Sequence, residues 1–245
     1  MKEAELKSLA VFIILIAIGI LVALAGSQNG SSVAGIPVFA LLVGLAFVIQ
    51  WLVFVPAYKF QTEKFFDITG SITYITLVLL AVLFSPNLDT RSILLAALVI
   101  VWALRLGTFL FTRIKKAGKD DRFDEIKPLF FRFLNVWTIQ ALWVTFTASA
   151  ALIAITASTR KEMDCYSVIG ALLWLFGFIF EVAADTQKSR FNANPANKGK
   201  FIQTGLWARS RHPNYFGEII ATHGQPCRTG RAMIATPSQR TISPK

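Results

Sequence analysis

Residues 35–58 read GIPVFALLVGLAFVIQWLVFVPAY (Gly35–Tyr58), 24 positions without one Asp, Glu, Lys or Arg. At 1.5 Å per residue a helix of this length rises about 36 Å, enough to cross roughly 30 Å of hydrocarbon. Polar residues do not recur at every third or fourth position, as an amphipathic soluble helix requires, and they do not alternate as in a lipid-facing strand. Ser8–Gly26, Ile68–Leu88 and Phe133–Thr159 are likewise uncharged, while Ser92–Thr112 and Cys165–Ala184 are interrupted once each, by Arg105 and Glu181. The fold class expected is therefore all-α: a polytopic helical membrane bundle of about six transmembrane helices.

Composition agrees. The chain has 245 residues, 54% hydrophobic and 16% charged, against about a quarter charged in a soluble domain. Ala23-Leu24-Ala25 resembles a signal-peptidase site, but Lys2 and Lys7 are offset by Glu3 and Glu5. The apolar run also exceeds the roughly 7–15 residues of a signal-peptide core, so the first span is expected to be retained. Outside the spans, 21 of the 25 Lys and Arg fall before span one, in the second and fourth loops and after span six; three fall in the other loops. By the positive-inside rule both termini are expected in the cytosol. The net charge of +11 is then a topology signal, suited to anionic headgroups or a phosphorylated ligand. Basic residues lying between spans, with no reader motif, exclude nucleic acid as a partner. Two His and two Cys at unrelated spacings give no metal site. Nothing in the chain signals an oligomeric state.

The densest polar chemistry is Thr204-Gly205-Leu206-Trp207-Ala208-Arg209-Ser210-Arg211-His212-Pro213-Asn214-Tyr215-Phe216-Gly217-Glu218. Pro213 biases His212 away from helix, so a turn should precede a helix starting near Asn214. Backbone N–H groups and the two arginines would then surround an anion. Glu181, Asp185 and Lys188 share one face of the helix leaving the membrane; they make either a salt-bridged edge or part of a site. Snorkelling to the cytosolic interface accounts for Arg105. Gln50 and Tyr74, isolated polar groups within spans, either hydrogen-bond between helices or line a substrate cavity. Trp51, Tyr58 and Trp137 read as aromatic belts. The charged fourth loop, Lys115–Glu125, is a solvated surface or a cover over a cytosolic site. The Asn192–Gly199 cluster ends the preceding helix.

Gly205-Leu206-Trp207 followed by Ser210-Arg211-His212-Pro213-Asn214-Tyr215-Phe216-Gly217-Glu218 resembles the C-terminal signature of the steroid 5α-reductase-like membrane proteins. Ala184–Phe191, Gly199–Ile202, Arg105-Leu106-Gly107 and Thr62–Asp67 extend the likeness to a less characterised branch, over roughly residues 45–220. The resemblance implies an NADPH-dependent reductase of a lipid or steroid-like C=C bond, in the endoplasmic-reticulum membrane. It implies Asp185, Lys188, Arg190, Arg211, Asn214, Tyr215 and Glu218 as cofactor contacts. It implies Tyr74 as a hydrogen-bond donor and Gln50 as a substrate contact. A rival resemblance, to prenylcysteine and phospholipid methyltransferases, rests on the Arg-His-Pro-x-Tyr-x-Gly core and implies S-adenosylmethionine instead. A third alternative is a scaffold without turnover.

Residues 1–220 are expected to form one transmembrane domain, and 221–245 an atypical tail. All 31 aromatic residues precede position 221, and the basic, turn-rich tail composition predicts disorder. In the resembled family an apolar helix continues past the position of Glu218 with further site residues. Here the pattern changes after Thr222, from which a chain of reduced or no activity is expected.

Overall fold

The computed structural model describes residues 3–86, 88–159 and 162–224. Seven α-helices run through them: α1 (Glu3–Gly26), α2 (Val38–Lys59), α3 (Phe66–Phe84), α4 (Thr90–Ala117), α5 (Phe130–Ile155), α6 (Cys165–Ala193) and α7 (Pro213–His223). The first six are long and apolar enough to cross a membrane, so the all-α polytopic bundle stands as expected. Of the tail expected to be disordered, residues 221–223 continue α7, and everything after Gly224 lies outside the described residues.

Boundaries follow local chemistry. Asp89 and Asp164 cap α4 and α6, their carboxylates accepting from Ser92 N (2.7 Å) and Ser167 N (2.9 Å), caps worth about 1 kcal/mol each. Span two begins at Val38 rather than Gly35. Ser32–Val33 and Ile36–Pro37 form a two-residue antiparallel hairpin instead, turned by Ala34 and Gly35 at φ of 51° and 79°. Such left-handed φ values at both turn residues suit a tight hairpin. α6 runs to Ala193, where the Asn194 side chain accepts from Ala196 N at 3.0 Å and starts a short 3-10 turn.

Loop contacts alternate between the two ends of the bundle. At one end, Ser31 N donates to Thr156 O (2.7 Å), Ser158 N to Asn29 O (3.2 Å) and Ser85 Oγ to Ile155 O (2.7 Å), joining loops one, three and five. At the other, Glu63 of loop two accepts from Asp120 N (2.8 Å) and Lys127 Nζ (2.7 Å) of loop four. That is the alternation six successive spans require.

The core lies among α2, α3, α4 and α5, with Phe39, Leu42, Leu77, Leu95 and Leu152 almost fully enclosed. Trp137 is not an interfacial belt residue. It is 0% exposed, packed edge-on against Phe66 and Phe133. Trp51 likewise turns inward, its Nε1 donating to Thr138 Oγ1 at 3.1 Å. Depth along a span can be read from sequence, but the face a ring occupies cannot.

α6 and α7 meet backbone to backbone. A Cβ on Gly177 would stand 2.5 Å from Ala221 N and 2.6 Å from Gly217 O; one on Gly224 would stand 2.6 Å from Trp174 N. Only glycine allows that approach. The result is a tight hairpin that carries the polar motif.

Candidate functional site

The segment between α6 and α7 is stitched to the end of α6. Gly205 adopts φ of 62°, and the Gln187 amide oxygen, which would lie 2.6 Å from a Cβ there, accepts from Leu206 N at 2.9 Å. Trp207 Nε1 donates to Ala184 O (2.9 Å), and Lys188 Nζ lies 4.7 Å from the centre of the Trp207 ring, a cation–π contact. Ser210 Oγ accepts from His212 N at 3.2 Å. Pro213 then opens α7, where its missing N–H costs nothing. The helix start expected near Asn214 is present.

Along this turn the side chains differ in role. Arg209 and Arg211 are exposed and have no ion-pair partner among the described residues. Arg190 is exposed as well. Tyr215, half exposed, stacks on His212 with ring centres 5.1 Å apart. Asn214 Oδ1 is buried without a hydrogen-bond partner, a costly state for an amide oxygen. Glu218 is half-buried, and its carboxylate makes no hydrogen bond among the described residues; one turn on, Thr222 Oγ1 donates to the Glu218 carbonyl at 2.9 Å.

Below the turn lies a buried charge knot. Arg105 Nη1 donates to Glu181 Oε1 and Nη2 to Asp185 Oδ2, both at 2.5 Å, and Trp102 Nε1 donates to Glu181 Oε2 at 3.2 Å. The side chains are only 17%, 4% and 8% exposed for Arg105, Glu181 and Asp185. Arg105 therefore does not snorkel. The carboxylates on α6 present a nearer counter-charge than the interface, and a two-pronged guanidinium satisfies both. Sequence reasoning placed Arg105 at the interface instead of in this knot, and it did not single out Trp102. Their i, i+3 spacing puts both on one face of α4, but nothing local in the sequence says that this face meets α6.

Tyr74 and Gln50 part company. Tyr74 is buried, hydrogen-bonded to Thr147 Oγ1 and edge-on to Trp102 at 5.1 Å. It lines a small cavity with Trp102, Thr147, Trp174, Ala221 and Thr222, so α3 and α7 meet there. Gln50, 0% exposed, donates from Nε2 to Thr73 Oγ1 at 3.0 Å between α2 and α3, with Oε1 unpartnered. It does not line that cavity.

Loop four also walls a cavity of its own. The cavity, of about 350 Å³, is lined by Phe66, Asp67, Ile114, Asp120, Arg122 and Phe123. Arg122 is within electrostatic reach of the Tyr215 phenol, and Glu63 anchors the loop. Burial pushes the Glu63 carboxyl up, but the hydrogen bonds from Lys127 and Asp120 N outweigh it and hold it below its ordinary value. Burial pulls Lys127 down, and its bonds to Glu63 and Asp124 more than reverse that. Among the described residues no group of His, Cys, Asp and Glu is placed to hold a metal ion.

Helix count, span length and the motif-bearing hairpin define a multi-pass α-helical membrane protein. The chain belongs to the family described as Protein of unknown function (DUF1295), whose model matches residues 53–230, within the steroid 5α-reductase-like superfamily. It is similar to an uncharacterised protein, C594.04c, of Schizosaccharomyces pombe, 25% identical over 158 residues, covering 53% of this chain and 46% of the relative. It is also similar to a probable O-methyltransferase, ustE, of Ustilaginoidea virens, 29% identical over 102 residues, covering 42% of this chain and 34% of the relative. The chain thus spans less than half the length of either curated relative. No solved structure matches.

Proposed function

We propose that this protein is a membrane-embedded, NADPH-dependent reductase of a conjugated lipid C=C bond, working from the cytosolic face of the endoplasmic-reticulum membrane with both termini in the cytosol. The observation that carries the reading is the position of Tyr74. A phenol buried within a span faces, across a cavity, the helix that bears the polar motif.

The residues present suit the cofactor. Arg209 and Arg211 are unpaired among the described residues and, with Arg190 and Lys188 close by in the sequence, form a cationic set fit for phosphates. The orphaned Asn214 Oδ1 suits an amide N–H donor. Asp185 contributes through Arg105, and Tyr215 and Glu218 complete the rim of α7. When bound, NADPH supplies a hydride. Thr147 Oγ1 donates to Trp143 O at 2.7 Å, which leaves Tyr74 Oη as donor in the Tyr74–Thr147 pair. A substrate carbonyl replacing Thr147 would take that hydrogen bond, and the phenol would stabilise the developing enolate. Gln50 stays as a second polar group on the α2 side of α3. The cavity beside Tyr74 holds only about 10 Å³, room for one water, so substrate entry requires the side chains that line it to move.

A second reading is favoured by the relative named as a probable O-methyltransferase: the same turn would take S-adenosylmethionine and methylate a lipid. A polycationic rim suits a phosphate-bearing cofactor better than a sulfonium. The test is turnover by the purified protein in detergent, with a lipid enone and NADPH, read as loss of nicotinamide absorbance. Enone-dependent loss that falls about 100-fold in Tyr74→Phe supports the reductase. Methyl transfer from labelled S-adenosylmethionine without enone reduction overturns it.

A further inference from the structure

Arg105 sits where three elements are brought into register. Its guanidinium grips Glu181 and Asp185 one helical turn apart on α6. Glu181 is also the residue against which α7 packs: a Cβ on Gly217 would stand 2.6 Å from Glu181 N and 2.9 Å from its Cα. On the same face of α4, Trp102 joins Glu181 on one side and stacks edge-on with Tyr74 on the other. A continuous chain of contacts therefore runs from Tyr74 on α3 through Trp102 and Glu181 to Gly217 on α7, with Arg105 holding Glu181 and Asp185 beside it. Behind the guanidinium, the Phe109 ring lies at 5.3 Å and helps fix its plane.

We propose that Arg105 is a positioning residue, which sets the distance between Tyr74 and the ligand-binding turn of α7 by clamping the α6–α7 hairpin onto α4. Its two-pronged geometry is the working feature. Each nitrogen takes one carboxylate, so translation and rotation of α6 along α4 are both fixed. A lysine carries the same charge at a single point and can fix only one of these. The hairpin is internally tight through its glycines, so what Arg105 holds at Glu181 is transmitted to α7 as a unit. The reach of this role to NADPH rests on the reductase reading; the geometry of the hairpin does not.

The test has two arms, one for each. For the distance arm, spin labels are placed at Ile72 on α3 and Ile219 on α7, both exposed, in a protein with Cys165 and Cys227 changed to serine. Arg105→Ala is expected to broaden or displace the narrow parental distance distribution, and Arg105→Lys to restore it in part. A parental distribution in Arg105→Ala overturns the proposal. For the cofactor arm, Arg105→Ala should weaken NADPH binding about tenfold or more. The triple variant Arg105→Ala, Glu181→Gln, Asp185→Asn, which removes the stranded charges but not the lost geometry, should remain weak. Recovery of affinity in the triple variant would mean that bare charge was the whole effect, and would overturn positioning. Where Arg105→Ala does not fold by gel filtration, Arg105→Lys decides: parental distances and affinity in that variant contradict the proposal. A parent protein that binds no NADPH removes the reductase reading while the distance arm still judges Arg105.

Discussion

The carbonyl oxygen of Gly217 lies 2.6 Å from where a Cβ on Gly177 would stand, and the carbonyl oxygen of Gly177 lies 2.7 Å from where one on Gly217 would stand. The two helices that build the candidate site are held at a spacing only hydrogen permits. Gly177→Ala and Gly217→Ala should each cost about 1–3 kcal/mol, because the obstacle is backbone and cannot rotate aside. Gly44, with nothing within 4 Å, is the control: Gly44→Ala in α2 should be neutral or stabilising. Melting temperatures in detergent compare the three, and equal melting temperatures would contradict the close packing.

Loop four should come away from the bundle in acid. Glu63 has a depressed pKa, so its contribution is present above the ordinary glutamate value and is lost as pH falls through the folded value. Lys127 has a raised pKa, so its share persists below the ordinary lysine value and is lost as pH rises through the folded one. The stability gap between parent and Glu63→Gln should therefore be open at pH 7, at about 1–3 kcal/mol for lost charge-assisted hydrogen bonds, Lys127 keeping Asp124 as a partner, and should close toward pH 3. A gap independent of pH would rule out the Glu63–Lys127 pair as its cause.

Removing Asn214 should separate stability from binding. Its Oδ1 is buried and unpartnered, so Asn214→Ala loses no bond from that atom and relieves a desolvated oxygen. The variant should melt at or slightly above the parental temperature, by up to about 1 kcal/mol, yet bind NADPH more weakly. Lost stability together with unchanged affinity would assign Asn214 a structural role.

Much of the fold was legible because hydrocarbon thickness dictates it. Gly35–Tyr58 and its uncharged counterparts had to be spans, whereas the caps at Asp89 and Asp164 were not singled out in the sequence. Pro213 announced the start of α7. The partner of Arg105 was not legible, because Glu181 is 76 positions away and a run of apolar residues gives depth without angular face. The same gap made Trp137 look interfacial when it is the centre of an aromatic cluster. Gly177 and Gly217 gave no local signal either, since each is explained only by the other.

Tyr74→Phe should retain NADPH affinity and lose turnover. Its hydroxyl points to Thr147 in the cavity beside α7, and loss of such a donor costs about 100-fold or more in rate. Equal turnover in Tyr74→Phe would remove the phenol from the chemistry.

The most direct measurement is a nicotinamide-fluorescence titration of the purified protein with NADPH, repeated with Arg211→Ala and with S-adenosylmethionine as competitor. Saturable binding that falls at least tenfold in Arg211→Ala and is untouched by S-adenosylmethionine is the expected result. Displacement by S-adenosylmethionine, or no NADPH binding by a protein that elutes folded, would contradict the reductase assignment.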